Sequence, residues 1–363
     1  MKTYEIAGIK LAIEYHFPSY LNNNIEAYEK RVTPKYIIVS KLVPSIIAMN
    51  NPYMQDTYRR FYQDDQYHYL QVVDANEVIK YEIRRTHDYQ NVSIKMVAEL
   101  SKKPAEMEYI FISMVFLDIA TLEGFVPLHA SCVVKNGEAY LFSAPSGVGK
   151  STHAALYKDY LNGFIINDDK PIIKNFSVYG TPFSGKTAEN QNVSYPLKAI
   201  YFIEQGSIPQ IELLHIDEAS KRLLKNIARP TTKETWEALL PEVNQLLASS
   251  NFYKAVLTKD PKSAYMTYYL PNKETHMKIK PGFIIKTIGL RFMVLPIDAE
   301  ALHFNGMMTL NKSGKLLFES LKEEQSLESL IQLLMDHYEV SFEDARTDVI
   351  KFVETLKDKD LLC

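Results

Sequence analysis

Cysteine is scarce: the 363 residues hold only Cys132 and Cys363. Two thiols that far apart exclude a disulfide framework and a cysteine-based zinc site, and they fit a reducing cytoplasm. Long apolar runs are missing too. The most apolar segment, 109–122, is interrupted by Asp118 and is too short to span a bilayer. The first residues, MKTYEIAGIKLAIEYHF, alternate in polarity where a signal peptide needs a continuous apolar core. Nor does charge of one sign dominate: 41 basic residues face 44 acidic ones, a net charge of −3, so bulk electrostatics recruit neither nucleic acid nor an anionic membrane. Internal repeats and low-complexity segments are absent. What is there, 46% hydrophobic and 23% charged residues, is the composition of a globular protein with room for two or three domains. The expectation is a cytoplasmic protein with no nucleic-acid or membrane partner; a homo-oligomer is compatible with this composition.

The chain is organised around APSGVGKST, residues 144–152. A short apolar run precedes it and STHAALYKDYL follows, so the order is strand, glycine-containing turn, Gly-Lys-Ser, helix, the context of a phosphate-binding loop. Gly147 and Gly149 permit the backbone torsions that let N–H groups of Ser146, Gly147, Val148 and Gly149 face phosphate oxygens. Lys150 brings a mobile positive charge for the outer phosphates, Ser151 a hydroxyl for a bound Mg²⁺, and Thr152 a second hydroxyl at the helix start. Ala144 stands at the first position of G-x-x-x-x-G-K-[ST], where a small residue is tolerated. Downstream, an apolar strand in FIINDDK runs into Asp168 and Asp169. Carboxylates at a strand end behind such a loop suit a Mg²⁺–nucleotide site. One would hold the metal and the other would accept a proton from an attacking hydroxyl; the assignment of Asp169 to metal and Asp168 to base can be exchanged.

Residues 1–102 read as a β-rich or mixed region, with strand candidates TYEIAGIKLAIEY, KYIIVSKLV, HYLQVVDA, VIKYEIRRT and NVSIKMV. The adjacent Asp64 and Asp65 read as a solvated turn. A helix over 107–122 is expected under the nucleotide-binding sheet. LHASCVV and AYLFSA form a hairpin at Asn136-Gly137, and Gly163 suits a left-handed cap after the loop's helix. VYGTPFSGKTAENQN reads either as a surface loop or as one that closes on phosphate or substrate through Lys186. Residues 216–247 are helical, with Trp236 on the core stripe. The nucleotide-binding domain spans 103–272, and LPNKETHMK is a polar linker. Residues 280–363 read as a β-hairpin followed by three helices, with Ser326 and Ser341 as N-caps. An open hairpin edge at 283–296 beside the third helix, 342–357, suits capture of an extended peptide. His303, His337 and the other scattered histidines lack ligand spacing.

Two resemblances rest on these residues. From 126 to 169 the chain resembles the HPr kinase/phosphorylase family, which shares its fold with ATP-dependent phosphoenolpyruvate carboxykinase. The order is His129 in LHAS, then APSGVGKST, then Asp168-Asp169 in INDDK. It departs from that family at Ala144, at Thr152 in place of an acidic residue, and at YGTPFSGK in place of a glycine-rich substrate loop. The resemblance implies ATP binding and phosphoryl transfer, and not the HPr substrate. Residues 280–362 resemble PqqD-like peptide-recognition domains through LNKSGKLLFESL, SLESLIQLLMDHYEV and DVIKFVETLKDKDLL. Such domains bind leader regions of ribosomally made peptides, so the combination is similar to the kinases found with lasso peptides.

The expected fold is therefore α/β (α+β): a P-loop kinase core of HPr-kinase/carboxykinase type, followed by a winged-helix-like β-hairpin plus three-helix domain. The expected function is an ATP- and Mg²⁺-dependent kinase acting on a hydroxyl of a peptide or protein captured by the C-terminal domain. Lys150, Asp168 and His129 would be catalytic, with His129 positioning Asp168 or a phosphate unless it merely packs under the sheet. Ser151 and Asp169 would hold Mg²⁺, and residues 146–152 with Lys186 would hold ATP. A small-molecule or carboxykinase-like kinase and a non-catalytic, nucleotide-binding protein that presents a peptide are the alternatives.

Overall fold

A computed structural model describes residues 1–185, 187–230, 232–269, 277–289, 291–297 and 308–362. They fall into two compact units, Met1–Lys259 and Asp260–Cys363. The architecture is mixed α/β with several sheets. Among the described residues no helix is long and apolar enough to cross a membrane.

The first unit opens with the hairpin β1 (Lys2–Ile6) and β2 (Ile9–Glu14). Its turn residues, Ala7 and Gly8, both take positive φ, which matches the twist of the two strands. After α1 (Pro18–Ile25) come β3 (Tyr36–Leu42), β4 (Met54–Gln55), β5 (Arg59–Gln63), β6 (Tyr67–Val73), β7 (Ile79–Thr86) and β8 (Asn91–Met96). They form one sheet in the order β1-β2-β3-β8-β7-β6-β5-β4. The β2–β3 pair is parallel, so the chain must cross over between them, and α1 lies in that crossover. Asp64 accepts from the N–H of Gln66 at 2.9 Å and of Tyr67 at 2.7 Å, which makes the two adjacent aspartates a local turn.

Helix α2 (Pro104–Leu122) starts on proline, whose missing N–H costs nothing there. It is apolar on nearly all sides, as a buried helix must be. Its side chains share a core with Ile6, Leu11, Ile38, Ile94 and Met96 of the first sheet. It therefore packs on that sheet, and it also meets segments that follow the glycine loop: Ile172 and Phe183 lie in its core, with Tyr179 and Ala228 packed against it. Glu108, 1% exposed, accepts from the N–H of His16 at 2.9 Å and of Phe17 at 2.7 Å, so α2 satisfies the unpaired donors just ahead of α1.

The second sheet contains β9 (Val126–Pro127), β10 (Ala130–Lys135), β11 (Glu138–Ser143), β12 (Phe164–Asn167), β13 (Ile172–Lys174), β14 (Ser177–Tyr179), β15 (Ser194–Gln205), β16 (Gln210–Leu213) and β17 (Phe252–Leu257). The path is β12-β10-β11-β15-β14-β13-β9, with β17 beside β15 and β16 beside β17. Asn136 and Gly137 make the expected hairpin turn at φ 52° and 79°. Strands β11 and β15 run parallel, and β10 is antiparallel to both β11 and β12, so β11, β12 and β15 all end on one side of the sheet. Helices α4 (Ile216–Asn226) and α5 (Lys233–Ser249) cover the face that carries Cys132, Val134, Leu141 and Phe202, with Trp236 half-buried at its margin. Between β11 and β12 runs α3 (Lys150–Leu161) on the opposite face, where Tyr157 packs on Tyr140 and Phe142. The left-handed residue that ends α3 is Asn162, one position before the glycine expected to supply it; asparagine tolerates that conformation.

In the second unit, α6 (Pro261–Tyr269) precedes β18 (Phe283–Ile288), β19 (Arg291–Pro296) and β20 (Met308–Leu310), then α7 (Lys312–Ser320), α8 (Leu327–His337) and α9 (Phe342–Asp358). The expected hairpin gains a third strand: β20 pairs with β19 from Met308 opposite Val294 to Leu310 opposite Phe292. HFNGMMTLNKSGKLLFESL reads in sequence as a strand passing into a helix, and β20 followed by α7 is that passage; its pairing with β19 is what the sequence does not show. Ser326 and Ser341 are N-caps, accepting from the N–H of Ser329 and Asp344 at 3.1 Å each. Lys186, His303 and most of the expected linker at 270–278 lie outside the described residues.

His68 on β6 links the stability of the first unit to pH. Burial first, then the positive charges of Arg85 and His87, push its imidazole down from 6.5 to about 4. The folded state keeps it neutral while the unfolded chain protonates it, so its contribution is whole above pH 6.5 and is lost as pH falls towards 4. The His68→Phe variant should lose stability less steeply across that window, by up to about 1.4 kcal/mol per pH unit. Urea unfolding of both proteins between pH 7 and pH 4 reads the difference, and parallel slopes would contradict it.

Candidate active site

The site lies where β11 and β12 end and β10 begins. The loop from Ala144 to Gly149 leaves β11 and delivers its chain into α3, with Gly147 at φ 84° and Gly149 at φ 121°, torsions that side-chain-bearing residues rarely adopt. The first N–H groups of α3 therefore open onto a cavity of about 430 Å³. Ser146, Gly147, Gly149, Lys150, Ser151 and Thr152 all line it, and so do His129, Asp168 and Asp169. Val148 does not: its side chain lines a neighbouring hollow of about 550 Å³ together with Ala144, Pro145 and Gln205. Gln205 at the end of β15 bonds the carbonyls of Gly147 and Val148 at 3.4 and 3.2 Å, which fixes the loop from beside.

Lys150 is only 7% exposed and donates to the carbonyl of Ala144 at 2.9 Å. Burial pushes its ammonium below its ordinary value, against the opposing pull of Asp169 and then Asp168. Asp168 is buried, and both its carboxylate oxygens accept from hydroxyls: Ser131 at 2.6 Å and Thr187 at 3.1 Å. Asp169 is held differently. His129 Nε2 stands 3.0 Å from one oxygen and Lys170 Nζ 2.8 Å from the other. Burial raises this carboxyl, but the His129 hydrogen bond and the Lys170 charge outweigh it and bring the group down to about 2. His129 is thus partnered with Asp169 and not with Asp168, one of the two partners, with a phosphate, that the sequence left open for it. It lines the cavity and is not packed under the sheet.

The Gly/Pro-punctuated loop is buried in its first half and exposed or half-exposed again from Ala188 on. Thr181, Phe183 and Ser184 are at most 1% exposed. Thr181 takes the Asn167 amide through its carbonyl at 2.8 Å and donates its own hydroxyl to the carbonyl of Lys170 at 2.7 Å. Ser184 and Asn190 bond Asn24 of α1, at 3.2 and 2.8 Å, and the N–H of Gly185 donates to Tyr109 of α2 at 3.2 Å. Tyr20, Glu106, Tyr109 and Ile110 complete the cavity wall. Sequence reading found none of these. Their only local trace is spacing: 20 and 24 on α1, and 106, 109 and 110 on α2, each share one helical face. Ser131 likewise follows His129 by the period of a strand.

Among the described residues no group of three or more His, Cys, Asp and Glu side chains is arranged to hold a metal ion. The donors at hand are the carboxylates Asp168 and Asp169 and the Ser151 hydroxyl, hard oxygen ligands for a cation that keeps much of its water. For phosphate the donors are Lys150, the hydroxyls of Ser146, Ser151 and Thr152, and the open N–H groups of the loop.

In the second unit, a hollow of about 430 Å³ runs between β20 and α9, lined by Met308, Thr309, Leu310, Leu317, Lys351 and Phe352 among others. Strand β20 has β19 on one side and, among the described residues, no strand on the other. The open edge beside α9 thus belongs to β20 and not to the hairpin, because β20 has taken the hairpin's place there.

A Cβ added to Gly180 would stand 2.0 Å from the carbonyl of Gln191 and 2.6 Å from that of Ile166. Both obstacles are backbone, one of them two residues before Asp168. Gly180→Ala should lower stability by about 1–3 kcal/mol. A shift of the urea midpoint at unchanged slope checks it; an unmoved midpoint would show that the loop yields freely.

No curated protein matches the chain. Among solved structures the chain is similar to TbiB1 in complex with the TbiA(beta) leader peptide, at 20% identity and a TM-score of 0.20, over 23% of this chain and 93% of that one. It is also similar to lasso peptide synthetase B1 complexed with the leader peptide, at 20% identity and a TM-score of 0.21, over 24% of this chain and 99% of that one. Residues 294–362 match the family model of coenzyme PQQ synthesis protein D (PqqD), so the C-terminal unit carries a PqqD domain.

Proposed function

We propose that the chain is an ATP- and Mg²⁺-dependent kinase that phosphorylates a hydroxyl of a peptide or protein, and that its PqqD domain captures that substrate, a ribosomally made precursor peptide. The observation that carries this reading is the convergence on one cavity of Lys150, at a helix N-terminus behind a glycine loop, with Asp168 and Asp169 at a strand end. That set of donors supports the resemblance to P-loop kinases of the HPr-kinase type. Two carboxylates and a hydroxyl fit Mg²⁺, which takes few protein ligands and shares its shell with water and phosphate. When bound, the ion neutralises phosphate charge.

The residues divide the work by their electrostatics. Lys150 and the N–H groups of the loop and α3 hold the phosphates and stabilise charge during transfer. Asp169, kept anionic by His129 and Lys170, is the carboxylate suited to metal, since a group titrating at about 2 is a weak base. Asp168 is oriented by Ser131 and Thr187 and takes the acceptor's proton. The acceptor oxygen forms its bond to the γ-phosphorus as the bond to the bridging oxygen breaks, and ADP leaves with that electron pair. Catalysis is then positioning and charge neutralisation.

The PqqD domain supports a peptide substrate. An extended segment laid against β20 would gain backbone hydrogen bonds from the open edge and side-chain contacts from α9. Being on the same chain as the catalytic residues, the domain raises the local concentration of the acceptor without touching the chemistry.

Incubation with γ-labelled ATP, Mg²⁺ and candidate precursor peptides tests the reading. Lys150→Ala should abolish transfer with the fold intact. Asp168→Asn should spare ATP affinity and cut turnover by about 10²- to 10⁴-fold, while Asp169→Asn should weaken Mg·ATP binding. Label on a small metabolite would favour a small-molecule kinase, and tight nucleotide binding without transfer a presenting protein.

The groove makes a separate prediction. Phe352→Ala should raise KM for the full-length peptide about tenfold or more and leave kcat unchanged, with no effect on a peptide that lacks its recognition segment. Equal KM values for the full-length peptide with both enzymes would show that the β20–α9 groove is not the reader.

A further inference from the structure

The cavity of the first unit has two unlike ends. One is the glycine loop; the other is a wall from α1 and α2 that carries Tyr20, Tyr109 and Ile110. A series of contacts runs from one to the other. Lys150 feels the charges of Asp169 and Asp168. A Cβ on Gly185 would lie 3.1 Å from that of Asp169, so the glycine sits against this carboxylate. The Gly185 N–H reaches the Tyr109 hydroxyl, and the Tyr109 ring packs 5.5 Å from that of Tyr20. The carboxylates therefore stand between the phosphate end and the α1–α2 wall. In phosphoryl transfer the attacking and leaving oxygens lie roughly in line across the phosphorus. An acceptor hydroxyl at the carboxylates must then extend the rest of its molecule over that wall.

The wall carries one exposed large aliphatic side chain. Ile110 is 41% exposed, on a helix whose other apolar side chains are buried or half-buried. Glu106, which also faces the cavity, is already in an ion pair with Lys103 at 2.8 Å. Among the described residues the wall's carboxylate is thus already paired, and an apolar group would cover Ile110 and remove its surface from water. Resting on the kinase reading above, we infer that the α1–α2 wall is the acceptor subsite and that it selects a peptide hydroxyl flanked by an aromatic or large aliphatic side chain. The N-terminal region thereby acquires a role in substrate choice.

The test uses the full chain, γ-labelled ATP with Mg²⁺, and two sets of short serine and threonine peptides, one with phenylalanine on both sides of the acceptor and one with glycine. Fluorescent ADP binding is measured in parallel. Wild type should prefer the phenylalanine set by about tenfold in kcat/KM. Ile110→Ser should erase the preference and Ile110→Leu should keep it, with ADP affinity equal in all three. No preference in wild type, or one untouched by Ile110→Ser, overturns the acceptor wall while the kinase reading stands. ADP binding without transfer to either set overturns the assignment of a peptide acceptor. Failure to bind ADP overturns the kinase reading itself.

Discussion

The buried carboxamide of Asn167 ties the candidate site together. Fully excluded from solvent, it uses both ends: its oxygen accepts from the N–H of Asp169 at 2.9 Å and of Lys170 at 2.6 Å, and its nitrogen donates to the carbonyl of Thr181 at 2.8 Å. An amide left unpaired in that environment would be costly, so the strand end, the aspartate turn and the following loop are held as one piece. From that loop the hydrogen bonds continue to Asn24 on α1 and Tyr109 on α2. The geometry of the two aspartates is thereby coupled to helices that pack on a different sheet.

That coupling explains what the sequence could and could not reveal. The glycine loop, the Asn136-Gly137 hairpin and the serine caps are set by local torsions and by donors a few residues away, so short windows of sequence disclose them. The partners of Asp168 and Asp169 are not local. Adjacent carboxylates on a tight turn face different neighbours, and which one meets His129 depends on the Asn167 clamp and on the bulge between Cys132 and Val133 in the β10–β12 pairing. Tyr20 and Glu106 come from helices with six of the first sheet's eight strands between them in the chain. Buried Thr181 and Ser184 sit among Gly and Pro residues that in a short window signal a surface turn; their burial is possible because Thr181 binds Asn167 and Lys170 and Ser184 binds Asn24.

The second unit shows the same division between local and distant causes. Ser326 and Ser341 announce their helices in the chain itself. Strand β20 pairs with the β19 edge of the hairpin, so the edge next to α9 is that of β20. One extra strand thus relocates the surface on which an extended chain can be added.

Charge placement in the first unit follows from its backbone. Lys150 stands at the start of a helix, where partial positive charge already accumulates, and burial alone would make its ammonium unfavourable. The carbonyl of Ala144 and the two aspartates offset that cost from opposite directions. Asp169 in turn remains anionic because His129 and Lys170 outweigh its own burial. The cavity is therefore polarised along its length, positive at the loop and negative at the end of β12. A polyanion would be drawn to Lys150 at the loop, and a hard cation to the carboxylates at the end of β12. Lys150 and the two aspartates are thus coupled, and removing either charge raises the cost of burying the other.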